Sequence, residues 1–174
     1  MESYKGSGLF TSAGNVSSGI VTLTIGTAMA MCVTLDKPVF DVSLKLPCQC
    51  HVIPGLYFLL PYSQTAGLVL KWFKEEFCGE EIVITGKLNL DPYNIRIHKA
   101  EQISPGAEGL IMLPHFMGTC SPEFNNRAKG VFAGVTPGMT KGHSIRSILE
   151  AVAYTINLNF YTVKQKAISV DEIR

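Results

Sequence analysis

The chain has 174 residues, enough for one domain with a real core, and its 47% hydrophobic and 17% charged content is a globular profile on the apolar side. A net charge of +1 excludes an electrostatic case for nucleic acid or an anionic membrane surface. Five cysteines (Cys32, Cys48, Cys50, Cys78, Cys120) without framework spacing, behind a polar start at Met1-Glu-Ser-Tyr-Lys-Gly-Ser7, read as reduced thiols in the cytoplasm.

No charge stands between Lys5 and Asp36, a stretch long enough for a membrane helix. Its pattern points elsewhere. Val21, Leu23 and Ile25 alternate with threonines, and Met29, Met31, Val33 and Leu35 alternate with Ala30, Cys32 and Thr34. Period two on both sides of Gly26-Thr27 predicts a β-hairpin with a tight turn, and no membrane span. Asp36 to Pro47 follows as an irregular connection. His51 to Leu60 carries a turn at Pro54-Gly55 and then a short apolar strand. Ser63 to Phe77 predicts a helix with Ser63 as cap and Leu68, Trp72 and Phe73 on one face. Ile82-Val-Ile84 and Ile95-Arg-Ile97 suggest short strands around Asp91-Pro92-Tyr93-Asn94. Ser104-Pro-Gly106 is a turn, and Gly109 to Leu113 a buried strand or the lead into one. Ile145, Ile148, Leu149, Val152, Ile156 and Val163 step by three, four and seven, which predicts a long amphipathic helix from about His143 to Lys164, with Thr140 opening its cap.

Chemistry-bearing residues are few. Glycine at Gly26 lets backbone amides approach an anion, and the Thr27 hydroxyl adds a donor; an ordinary hairpin turn is the plainer explanation of the dipeptide. Gly67 and Lys71, four apart on the predicted helix, present a bare backbone patch and a cation on one side; taken alone, a packing glycine and a solvated lysine are the plainer explanation. Cys48-Gln-Cys50-His51 has the look of a metal cluster but lacks a second ligand pair, so no metal site is assigned. His51, His98, His115 and His143 are scattered. There is no Gly-x-Ser-x-Gly elbow, no Walker A loop and no Gly-x-Gly-x-x-Gly. His143 near a helix start reads as a capping residue.

Several segments, taken in order, carry a resemblance. Val21-Thr-Leu-Thr-Ile-Gly-Thr27, His51-Val-Ile-Pro-Gly-Leu-Tyr57, Ala66-Gly-Leu-Val-Leu-Lys-Trp-Phe73, Pro105-Gly-Ala-Glu-Gly-Leu-Ile-Met-Leu-Pro114, Gly118-Thr-Cys-Ser-Pro122 and Gly130 to Glu150 resemble the C-terminal domain of the FGGY family of carbohydrate kinases, most nearly its xylulokinase-like members. Residues 1–174 are read as a partial C-terminal, nucleotide-side domain. Departures are Ser144 in place of an aliphatic residue, Cys120 in place of an arginine, and Ala28-Met29 in place of Ser-Gly.

The resemblance implies a ribonuclease-H-like, actin-like α/β fold, with a mixed sheet and packed helices. It implies transfer of the ATP γ-phosphoryl group to a sugar hydroxyl, with ATP and Mg²⁺ as cofactors. Gly26, Thr27, Gly67 and Lys71 are the nucleotide-contacting residues it points to. The sugar would bind through an N-terminal domain that this chain does not carry. No catalytic base is assigned, although Glu2 falls near the family's aspartate. The chain alone is expected to be inactive. The alternative is a non-catalytic interaction or dimerisation module, with a homodimer covering the apolar face left by the partner domain.

Overall fold

The computed structural model describes residues 11–41, 43, 45–80, 83 and 92–174. The expected hairpin forms: β1 (Ile20–Ile25) pairs antiparallel with β2 (Met29–Leu35), with Val21 opposite Val33 and Ile25 opposite Met29. The odd positions Val21 and Leu23 face one side of the sheet and the threonines the other, as period two requires. Three short strands follow, β3 (Cys48–Cys50), β4 (Tyr57–Leu59) and β5 (Tyr62–Ser63), of which β4 and β5 both pair with β2. At the end of the chain β8 (Glu172–Ile173) joins β1 in parallel. The sheet order is β3-β4-β2-β1-β8, so the sheet is mixed, as expected.

Among the described residues α1 (Gly67–Phe77), α2 (Pro92–Glu101) and α3 (Lys141–Lys164) accompany it. A separate hairpin joins β6 (Ile111–Leu113) to β7 (Val131–Ala133). Helix α3 links two cores. Its C-terminal half sets Val163, with Ile156 and Phe160, against Val21, Met31, Val33 and Leu59 of the sheet. Its N-terminal half sets Ile145, Ile148 and Ala151 against Val69 and Phe73 of α1, Ala100 of α2 and Met112 of β6. Full burial of each of the larger aliphatic side chains contributes about 1.5–3 kcal/mol. Thr140 caps α3 through its partner: the Thr140 N–H donates to His143 Nδ1 at 3.1 Å. The long helix and its cap stand where the apolar stripe put them.

Three expectations are corrected. Ile95 to Ile97 lies in helix α2, not in a strand. Proline suits the first turn of a helix, and α2 lies so close to α3 that a Cβ on Gly142 would meet the Lys99 carbonyl at 2.8 Å. Ser63 does not cap α1; it lies in β5, and the helix begins at Gly67. On α1 the buried pair is Val69 and Phe73, while Leu68 and Trp72 are half-buried. Ile82, Ile84 and Asp91, like Glu2, fall outside the described residues. No helix among the described residues is long and apolar enough to cross a membrane.

Candidate functional site

Helix α1 has no side-chain cap, because Ala66 occupies the capping position. Its first N–H groups need acceptors, and they find them far back in the chain. Ala66 N–H donates to the Thr27 carbonyl (3.0 Å), Gly67 N–H to the Gly26 carbonyl (2.9 Å) and Leu68 N–H to the Thr27 carbonyl (3.2 Å). The turn between β1 and β2 therefore sits directly on the start of α1.

The contact explains Gly67. A Cβ there would stand 2.5 Å from the Gly26 carbonyl oxygen and 3.3 Å from its carbon. Both obstacles are backbone atoms, so no rotamer change relieves them. The bare backbone at Gly67 is filled by the turn itself.

The same contact orients the turn. A trans peptide points its C=O and N–H in opposite directions. The Gly26 carbonyl shares a peptide with the Thr27 N–H, and the Thr27 carbonyl shares one with the Ala28 N–H. With both carbonyls held by the helix, both amides face away from it. Hydrogen bonding to the carbonyls also polarises these peptides and strengthens their N–H groups as donors. Thr27 is exposed, and among the described residues its amide and hydroxyl donate to no protein group. The first turn of α1 carries no acidic residue to oppose an incoming anion. The arrangement is a small turn held on a helix N-terminus, with two backbone amides turned away from the helix.

Gly26, Thr27 and Gly67 are thus brought together. Lys71 lies one turn further along α1, with its Nζ 3.9 Å from Glu75 Oε1 and both side chains about half exposed. Such a pair contributes little to stability and leaves the ammonium available. Beside Gly67 an apolar cleft of about 290 Å³ opens between the end of β1, α1 and α3, lined by Ile25, Leu70, Leu149, Val152 and Ile156.

The Cys48-Gln-Cys50-His51 stretch is an edge strand and the corner after it. His51 turns inward, its Nδ1 accepting the Ile53 N–H at 3.0 Å. Burial pushes its pKa down, against a smaller opposing effect of the Asn15 backbone. Among the described residues no group of three His, Cys, Asp or Glu side chains is placed to hold a metal ion.

Sequence reasoning missed Thr65. Its Oγ1 donates to the Pro114 carbonyl, tying the residue before the helix cap to the end of β6. The partners are 49 residues apart, so no local signal announces the bond.

The chain matches the family model "FGGY family of carbohydrate kinases, C-terminal domain" over residues 21–174. It is 33% identical over 150 residues to a gluconokinase from Bacillus subtilis (strain 168), covering 85% of this chain and 28% of that protein. The xylulose kinase structure from Rhodospirillum rubrum superposes with a TM-score of 0.74 at 28% identity, covering 91% of this chain and 30% of that one. A "xyloylose kinase" structure from Brucella ovis gives a TM-score of 0.76 at 16% identity, over 92% and 31%, a likeness of fold alone. The chain therefore spans less than a third of the length of these proteins.

Proposed function

The chain belongs to the FGGY family of carbohydrate kinases, and from that premise we propose that it forms the nucleotide-holding part of an ATP-dependent sugar kinase. The observation that carries the proposal is the docked turn, with the Thr27 and Ala28 amides directed away from α1 and Thr27 exposed.

In this reading the Thr27 and Ala28 amides and the Thr27 hydroxyl receive phosphate oxygens, while Gly26, whose own N–H donates to the Ala28 carbonyl at 2.8 Å, shapes the turn. The Lys71 ammonium adds positive charge on the same side of α1 as Gly67. The apolar cleft beside Gly67 is suited to one face of a nucleobase. Mg²⁺ would enter with the triphosphate, held by phosphate oxygens and water, since the described residues offer no carboxylate cluster for it. Bound ATP supplies the γ-phosphoryl group that passes to a sugar hydroxyl oxygen, and catalysis of such transfer is mostly positioning and charge neutralisation. This chain's share is to fix the phosphates. The sugar contacts and the base belong to residues beyond those assigned here. The acceptor is a hydroxyl of a sugar or sugar acid, in keeping with the relatives named gluconokinase and xylulose kinase.

Displacement of a fluorescent ATP analogue tests the proposal. Mg-ATP and Mg-ADP should displace it saturably while gluconate and xylulose do not, and Lys71→Met should weaken binding several-fold. Absence of saturable displacement would remove the nucleotide assignment. The chain on its own should show no phosphotransfer to either sugar, and turnover would contradict the division of roles.

A further inference from the structure

The turn read as receiving the phosphates docks on the start of α1, and one buried side chain beside that start reaches across to another part of the fold. Thr65 immediately precedes Ala66, whose N–H is the first donor to the turn. It is almost fully buried. Its own backbone is folded by Ser63, whose Oγ donates to the Thr65 carbonyl at 3.1 Å and accepts the Thr65 N–H at 3.4 Å. Its hydroxyl then reaches across to the Pro114 carbonyl.

Pro114 is a firm anchor. It follows β6, which is paired with β7. Before β6 the chain makes a tight left-handed turn, with φ of 90°, 45°, 52° and 90° at Gly106, Ala107, Glu108 and Gly109. Left-handed backbone at Ala107 and Glu108 is unfavourable unless the surroundings hold it. Helix α3 holds it through Glu150, whose Oε1 accepts the Gly106 N–H at 2.9 Å, and His143 Nε2 approaches Glu108 Oε2 at 3.2 Å. Arg146 in turn fixes Glu150, Nε to Oε1, at 2.6 Å. Close backbone approach at Gly134 seals the other side, where an added Cβ would run into the Gly109 carbonyl oxygen.

We propose that Thr65 is a positioning residue, a strut that transmits the rigidity of the β6–β7 hairpin and α3 to the phosphate-receiving turn through the Pro114 carbonyl. The functional half of this proposal rests on the nucleotide reading above; the structural half does not.

Native-state amide exchange on the unaltered chain tests the strut first. The Gly67 and Leu68 amides should open in the same cooperative unit as the amides of β6. Opening of Gly67 and Leu68 alone, at far lower denaturant than β6, would overturn it. Thr65→Val, which keeps the shape and removes the hydroxyl, should raise exchange at Gly67 and Leu68 at least tenfold while the β1–β2 ladder at Thr22 and Cys32 stays within twofold. It should weaken Mg-ATP binding about tenfold, and Thr65→Ser should restore both. A uniform rise across all amides would mean a merely structural residue and overturn the proposal. A local rise at Gly67 and Leu68 in a chain that binds no Mg-ATP would uphold the strut and sink the nucleotide reading instead.

Discussion

Gly67→Ala is the sharpest perturbation of the turn-on-helix contact. The added Cβ would meet the Gly26 carbonyl oxygen at 2.5 Å, about 1 Å inside ordinary van der Waals separation. Neither partner is a movable side chain, so the turn and the helix start must separate. Moving them by about that distance takes the Gly67 bond from 2.9 Å past hydrogen-bonding range and strains its neighbours from Ala66 and Leu68. Overpacking of this kind costs about 1–3 kcal/mol, offset by up to about 1 kcal/mol from better helix propensity. A net loss of about 1–2 kcal/mol lowers Tm by roughly 2–8 °C in a chain of this size. Differential scanning calorimetry reads this directly, with Gly138→Ala as the control, since nothing lies within 4 Å of a Cβ there. Nucleotide affinity should fall with the variant, because the Thr27 and Ala28 amides lose their fixed direction. An unchanged or raised Tm for Gly67→Ala, with Gly67 and Leu68 amides as protected as before, would refute the reasoning.

Two further outcomes follow from charge and burial away from the turn. Asp41 is buried; its Oδ1 accepts from Ser43 N, Ser43 Oγ and Lys166 Nζ, and its Oδ2 from Lys45 N and Leu46 N. Burial alone would raise its pKa, but the Lys166 ammonium, the Ser43 hydroxyl and the amides outweigh it and hold the carboxyl well below the usual carboxylate range. The folded pKa lies below the unfolded value of about 3.9, so this contribution is complete above about pH 5 and is lost as pH falls below about 4. Asp41→Asn should cost about 2–4 kcal/mol at neutral pH in urea unfolding, with the gap to the parent closing in acid; a gap that stays constant down to pH 3 would contradict this. Burial pushes the Cys32 thiol up to about 12, against a smaller opposing Thr34 hydrogen bond, whereas Cys50 is exposed. Iodoacetamide at pH 8 should therefore alkylate Cys50 in the folded chain and Cys32 only after unfolding, as peptide mass mapping would show; early labelling of Cys32 would place it outside the core.

The hairpin and the long helix were legible because each is specified locally. Strict alternation around Gly26-Thr27 fixed β1 and β2, and the stripe from Ile145 to Val163 fixed α3. The start of α1 was not, because its cap is the carbonyl edge of a turn some 40 residues earlier rather than Ser63. Ile95-Arg-Ile97 imitated a strand, yet the segment lies in a helix that buries Ala100 against α3. For the site, Gly26, Thr27 and Gly67 could be named from sequence, but not the reason for Gly67, which is a backbone approach visible only in three dimensions. Thr65 and the tie from Glu150 to Gly106 were invisible for the same reason: each joins residues 44 or more apart.

The measurement that bears most directly on the central claim is calorimetric titration of this chain with Mg-ATP, repeated on Thr27→Ala. Thr27 is exposed and its hydroxyl supports nothing else among the described residues, so the substitution should leave Tm within about 1 °C. The parent chain should bind saturably, and Thr27→Ala about tenfold more weakly, as expected for loss of one hydrogen bond to a charged phosphate. Equal affinity in the two proteins, or no binding by the parent, would contradict the claim that this turn receives the nucleotide phosphates.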